Sequence, residues 1–339
     1  MTASADRATP REAPAQGGAR IPDFFIVGHA KCGTTALYEA LRRHPQIFMP
    51  RLKEPWYFAR NNPHPQLDRE RSIEYTGRRR ETLEEYLANF ADARADQLVG
   101  EGSTSYLWSK VAAAEIAKAQ PSARIIAILR EPAAFLRSLH LQRLTDHIES
   151  ETDFAKALAL DDERRAGRMI PRYAFWPQSI IYSDQVRYVE QLRRYDAVFP
   201  RDQILVLIYE DYRRDNDATL GRVLDFLGVD AHRSVHVAES NTTSKRVRSN
   251  RVNDLARMLN QGRGPISGVL NSTIKVVTTP QFRKRLLWPV YDRVLFGKPR
   301  HTEDALMTEI RRRFKPEVVA LSEYLGRDMV KFWGYDAID

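Results

Sequence analysis

The chain has 339 residues, 43% of them hydrophobic, and 53 Lys and Arg against 44 Asp and Glu give it a formal net charge of +9. That is enough apolar material to bury one large core or two modest ones, yet no run approaches the roughly 20 apolar residues that a helical membrane span needs. A single cysteine excludes an internal disulfide and a zinc site of clustered cysteines, and it fits a reducing compartment, for which the cytoplasm is the expectation.

Met1 to about Arg20 is rich in Ala, Pro, Gly and charge and lacks an apolar h-region. It reads as a disordered tail and not as a signal peptide, with a single domain over 21–339. Phe24 to Gly28 is an apolar strand-like run that breaks at glycine. A short loop then holds Lys31, and a helical pattern resumes behind Thr34 and Thr35 and runs to 43. This is the layout of a strand, an anion-cradling loop and a helix N-terminus. Backbone N–H groups from Ala30, Lys31, Cys32, Gly33, Thr34 and Thr35 and the positive end of the helix dipole converge on a phosphate-like group. A nucleoside-triphosphate P-loop carries its lysine directly after the second glycine. Here the spacing from Gly28 to Gly33 survives, but Thr34 fills the lysine slot and Lys31 sits inside the loop.

Further helical patterns fall near 83–90, 106–118, 132–148, 178–195 and 303–325, and further strand-like runs at 98–100, 125–129 and 204–209. The run Ala123 to Leu129 ends in Arg130, and Pro132 opens the next helix, where a missing N–H does no harm. The strands are apolar throughout, which indicates helices on both faces. Their alternation with helices predicts an α/β fold, a three-layer sandwich around a central, mainly parallel sheet. Ligands of such sheets bind beyond the carboxyl ends of the strands, where the Lys31 loop and Arg130 both fall.

The Lys31 loop resembles the 5′-phosphosulfate-binding loop of sulfotransferases that use 3′-phosphoadenosine 5′-phosphosulfate (PAPS). The resemblance implies a 3′-phosphate site made by an arginine at a strand end and a serine eight residues on, positions that Arg130 and Ser138 fill. A forked guanidinium and a hydroxyl suit a dianionic phosphate. Lys53-Glu54-Pro55-Trp56-Tyr57-Phe58, Gly100-Glu101-Gly102-Ser103-Thr104-Ser105-Tyr106, Ile204 to Asp211 and Leu224 to Gly228 are similar to segments of the carbohydrate branch of that family. The likeness runs from about 22 to 228 and is loose over the last hundred residues. It implies PAPS as donor, no metal, and a late basic loop over the 3′-phosphate, matched here by Lys245, Arg246 and Arg248.

On this resemblance, Lys31 stabilises the departing phosphate and Glu54 is the first choice of base. A partly buried, aromatic-flanked pocket is expected to raise the Glu54 pKa. Glu101 is the second choice of base, while Glu54 paired only with Lys53 is the structural alternative. His29 and His140 are expected to be structural, and Cys32 to carry no chemistry. A magnesium-dependent small-molecule kinase is the second functional hypothesis, and a non-catalytic nucleotide- or nucleic-acid-binding protein the third.

Between Asn241 and Lys315 there are 17 Lys and Arg against five Asp and Glu. Most read as solvated helix faces, and the basic amphipathic stretch Gln281 to Phe296 leaves a peripheral membrane contact open. The segments Asn61 to Arg80 and Glu149 to Gln178 are expected to wall the acceptor side, with Tyr173, Phe175 and Trp176 as aromatic surface or as packing. A glycan or other small molecule is the expected acceptor, and no nucleic-acid partner is expected.

Overall fold

The computed structural model describes residues 20–59, 82–146, 148–171, 174, 176–230 and 304–338, with the backbone of a short antiparallel pair, Arg246–Val247 and Phe296–Gly297. Its centre is one five-stranded sheet built of β1 (Phe24–Ile26), β2 (Ile47–Phe48), β3 (Leu98–Gly102), β4 (Arg124–Leu129) and β5 (Ile204–Ile208). The order is β2-β3-β1-β4-β5 and every neighbouring pair is parallel. All three residues of β1 and five of the six in β4 are buried, as strands covered on both faces must be.

The helices follow in chain order: α1 (Thr34–Arg42), α2 (Leu83–Ala88), α3 (Ala112–Ala119), α4 (Pro132–Thr145), α5 (Phe154–Ala159), α6 (Asp161–Arg165), α7 (Tyr182–Gln185), α8 (Tyr188–Asp196), α9 (Tyr209–Arg214), α10 (Asn216–Leu227), α11 (Asp304–Leu325) and α12 (Met329–Phe332). Two expected helices change on folding. The pattern near 106–118 becomes helical only at Ala112, because Ser109 Oγ accepts from the N–H groups of Val111 and Ala112 and fixes the start there. The pattern near 178–195 divides into a 3₁₀ turn, α7 and α8. Asp161 accepts from the N–H groups of Tyr182 and Ser183, both at 2.8 Å, and so fixes the entry to α7.

The C-terminal helices are tied to the carboxyl ends of β4 and β5. The Trp333 indole donates to Glu210 at 3.0 Å, Tyr335 donates to Glu131, and Arg327 pairs with Asp211. Because the strands run parallel, the chain leaves β1, β3 and β4 on one side of the sheet, and there the candidate residues gather.

Candidate functional site

The loop after β1 is shaped by backbone constraints. A Cβ on Gly28 would lie 2.4 Å from the Ile128 nitrogen, so only glycine lets the chain pass this close to β4. Lys31 (φ 66°) and Gly33 (φ 87°) are both left-handed, a conformation that strains lysine but not glycine. Gly33 is the N-cap of α1 and offers no side chain. The first N–H groups of that helix are therefore left without a side-chain cap, which suits an anion.

Two cations flank this loop. The half-buried Lys31 ammonium donates to Gln142 Oε1 at 3.4 Å. Burial and the nearby Arg130 charge hold its pKa below the usual lysine range. Arg130 leaves β4 directly opposite, donates to the Lys31 carbonyl at 3.0 Å and lies 4.7 Å over the Tyr209 ring. Its Nε is buried and has no hydrogen-bond partner among the described residues. A buried guanidinium donor left open is a place for an anionic oxygen. Ser138 lies two turns into α4 and is half-buried. The N-terminus of α4 is itself filled, since the Glu131 carboxylate caps Ala133 and Ala134. An anion at this strand end must then be held by side chains and not by helix amides.

Glu54 stands at the other side of the strand ends. It and Trp56 are left-handed (φ 62° and 59°) around Pro55, and their N–H groups bond to the Gly102 carbonyl and Ser103 Oγ. The carboxylate accepts from Lys53 Nζ at 2.9 Å, Thr104 Oγ1 at 2.9 Å and Trp56 Nε1 at 3.1 Å. Burial alone would raise its pKa, but the Lys53 charge and these three donors outweigh burial and hold it below the usual glutamate value. The upward shift expected from the sequence is thus reversed, because the aromatic neighbour brings an N–H donor and not only apolar surface. Trp56 packs edge to face on Trp176 with ring centroids 5.4 Å apart, and Trp176 on Trp108 at 5.8 Å. Trp56 and Trp176 are part-exposed, so the three indoles make an aromatic wall beside the carboxylate.

Glu101 is enclosed. It accepts from the Tyr86 and Tyr106 hydroxyls at 2.9 and 2.8 Å, and burial pushes its pKa up to about 7. With no exposed surface, it is placed to tie β3 to its neighbours and not to meet an acceptor. His29 is buried against Gln191 at 2.8 Å, and burial lowers its pKa to about 4. His140 is buried against Tyr182 at 3.0 Å. Cys32 is buried too, and burial raises its thiol pKa.

Lys245, Arg248, Tyr173, Phe175, the segment Asn61 to Arg80 and residues 281–295 lie outside the described residues, and Arg246 is placed by its backbone alone. Among the described residues no cluster of His, Cys, Asp or Glu is arranged for a metal, and no helix is long and apolar enough to cross a membrane. Thr104, Tyr209, Gln142 and Asp146 were not singled out from the sequence. For the last two a signal exists: Ser138, Gln142 and Asp146 are polar at intervals of four, which places them on one face of α4.

A family profile described as a sulfotransferase domain matches residues 21–268. The chain is 27% identical over 254 residues to carbohydrate sulfotransferase 15 of Homo sapiens, covering 62% of this chain and 44% of that protein. It is 28% identical over 227 residues to the bifunctional heparan sulfate N-deacetylase/N-sulfotransferase 3 of Homo sapiens, covering 63% and 23%. It thus spans less than half the length of these relatives. Among solved structures, a sulfotransferase from Alicyclobacillus acidocaldarius is similar with a TM-score of 0.55 at 25% identity, over 74% of this chain and 96% of that one.

Proposed function

Because the chain belongs to the sulfotransferase domain family, we propose that it is an enzyme that moves a sulfuryl group from PAPS to a hydroxyl or amine of a glycan or other small molecule. The observation that carries the donor assignment is the pairing of an uncapped α1 N-terminus with two cations, one of them the Arg130 guanidinium whose buried Nε lacks a partner among the described residues. These residues fit a nucleotide with phosphates at both ends. Ala30, Lys31, Cys32, Gly33, Thr34 and Thr35 take the 5′-phosphosulfate, and Arg130 and Ser138 take the 3′-phosphate. On the resemblance alone, Lys245, Arg246 and Arg248 cover it. The displaced lysine argues against a triphosphate kinase.

PAPS supplies an activated sulfuryl group. The acceptor oxygen or nitrogen forms a bond to sulfur as the bond from sulfur to the bridging oxygen breaks, and the electron pair leaves with the phosphate. Lys31 stabilises the charge that builds on that leaving group. The acceptor's proton passes to Glu54, which is ionised at neutral pH. Because its pKa is low, Glu54 accepts that proton late, when bonding to sulfur has made the acceptor strongly acidic. The wall of Trp56, Trp176 and Trp108 supports a ring-bearing acceptor, such as a sugar, lying against indole faces. A cytoplasmic setting is proposed from the single cysteine.

The test is calorimetric titration with 3′-phosphoadenosine 5′-phosphate (PAP) in EDTA, followed by sulfate transfer from PAPS to a panel of glycans. Metal-independent PAP binding and labelled glycan are expected. Glu54→Gln should retain PAP binding and lose transfer, and Trp176→Ala should raise the acceptor KM with PAP affinity unchanged. A protein that ignores PAP but binds ATP with magnesium overturns the assignment.

A further inference from the structure

Asp146 breaks a local rule. It is the C-cap of α4, a helix of 14 residues, and the helix dipole disfavours a carboxylate at that end. It is also half-buried, and burial raises its pKa above the usual aspartate value. A residue that opposes both dipole and desolvation has a compensating task nearby. Part of the compensation is the Arg143 cation on the same helix, and part lies toward the loop. Gln142 Nε2 donates to Asp146 Oδ1 at 2.7 Å, and Gln142 Oε1 accepts from Lys31 Nζ at 3.4 Å. The groups acting on the Lys31 charge are Arg130 from the end of β4, Asp146 from α4 and Cys32 in the loop itself. The Arg130 cation opposes the ammonium, and the thiol of Cys32 is neutral, since burial raises its pKa. Among the described residues Asp146 is the anion that favours it. Asp146 also feels Lys53's partner Glu54, so it sits within electrostatic reach of both the loop lysine and the candidate base.

We propose that Asp146 is a positioning residue for Lys31: it fixes the Gln142 amide with its oxygen toward the ammonium, and its charge keeps that ammonium protonated beside Arg130. An amide can flip, and its two ends differ chemically. Only the flip seen here lets Gln142 receive a hydrogen bond from lysine, and the carboxylate, which can only accept, selects that flip. The loop lysine then reaches an incoming phosphate already oriented and charged. The idea builds on the role given above to Lys31 in donor binding, but one of its tests does not.

That test is trace acetylation of Lys31 with acetic anhydride between pH 7 and 11 in the ligand-free protein, followed by peptide mass spectrometry. Asp146→Asn keeps an oxygen for Gln142 and loses the charge. It should lower the Lys31 titration midpoint by about one unit, with melting temperature and the titration of other lysines unchanged. Gln142→Leu keeps the charge and cuts the relay. It should weaken PAP binding about two- to tenfold, the range of one lost hydrogen bond. A midpoint that stays in place in Asp146→Asn, or a Gln142→Leu variant that binds PAP as tightly as the wild type, overturns the proposal. A wild type that does not bind PAP at all overturns the donor assignment instead, and the acetylation result still decides the role of Asp146.

Discussion

Replacing Arg130 with alanine separates the proposed 3′-phosphate contact from the rest of the loop. One Nη of this guanidinium is engaged by the Lys31 carbonyl at 3.0 Å, its face rests on Tyr209, and its buried Nε has no partner among the described residues. A phosphate bound there gains charge-assisted hydrogen bonds of about 1.5–3 kcal/mol each. Truncating one partner of such a buried pair costs about 2–5 kcal/mol. Taking roughly 3 kcal/mol, PAP affinity should fall about a hundredfold. Arg130→Lys keeps the charge but loses the fork and the ring contact, and should recover only part of that loss. The assay is calorimetry at fixed salt in EDTA with two ligands, PAP and adenosine 5′-phosphate, which lacks the 3′-phosphate. The wild type should prefer PAP, and Arg130→Ala should bind the two alike. The cycle cancels any general weakening of the loop. An alanine variant that keeps the full preference for PAP would place the 3′-phosphate elsewhere.

Gly28→Ala puts a methyl group against the Ile128 backbone. It should cost about 1–3 kcal/mol of stability and weaken PAP binding by moving the loop, and an unchanged melting curve would refute the close approach. Arg164 and Glu149 form a buried ion pair at 2.8 Å, with Tyr182 also donating to Glu149. Arg164→Leu leaves that carboxylate unpaired and should cost about 3–5 kcal/mol, with partial recovery in the Arg164→Leu, Glu149→Gln double variant; denaturant titration decides. Glu101, with a folded pKa near 7, holds a proton that the unfolded chain releases above about pH 4.3. Its contribution is fully present below pH 4.3 and is lost as pH rises to 7, by about 4 kcal/mol in all. The stability difference between wild type and Glu101→Gln should therefore slope through this window, and a flat difference would contradict the buried placement.

The sheet was legible where its strands are continuous apolar runs, and for β1 and β4 the chain leaves the strand close to a marked residue, Gly28 or Arg130 before Pro132. Strand β3 runs two residues past the expected 98–100, because Glu101 and Gly102 continue the ladder with β1 although they break the apolar run. Strand β2, with two residues, is too short for any pattern to mark it. The helices α5 and α6 went unread because each has six residues or fewer and is held by side-chain bonds, such as those of Arg164, that no periodicity encodes. Within the site, Lys31 and Arg130 could be placed from spacing alone, since both act close to where the backbone leaves a strand. The protonation behaviour of Glu54 could not. It depends on Thr104, which follows β3 fifty residues later in the chain, and on which edge of an indole is turned inward. A sequence names an aromatic neighbour without saying whether its ring face or its N–H is presented.

Three of the four left-handed non-glycine residues among the described ones are Lys31, Glu54 and Trp56, all at the candidate site. Each such residue costs about 1–2 kcal/mol, and the strain persists only because the strands on either side leave the chain no other course. That cost can be measured at Lys31. Lys31→Gly relieves the left-handed strain and removes the desolvation cost of a half-buried ammonium, while it loses one long hydrogen bond and adds about 0.5–1 kcal/mol of chain entropy cost. These nearly cancel, so the ligand-free variant should unfold within about 1 kcal/mol of the wild type while PAP binding collapses. Lys31→Ala removes the same side chain but keeps the strain, and it should be the less stable of the two by about 1 kcal/mol. If alanine is tolerated as well as glycine, the loop does not hold residue 31 left-handed. The ammonium would then owe its aim to Gln142 alone.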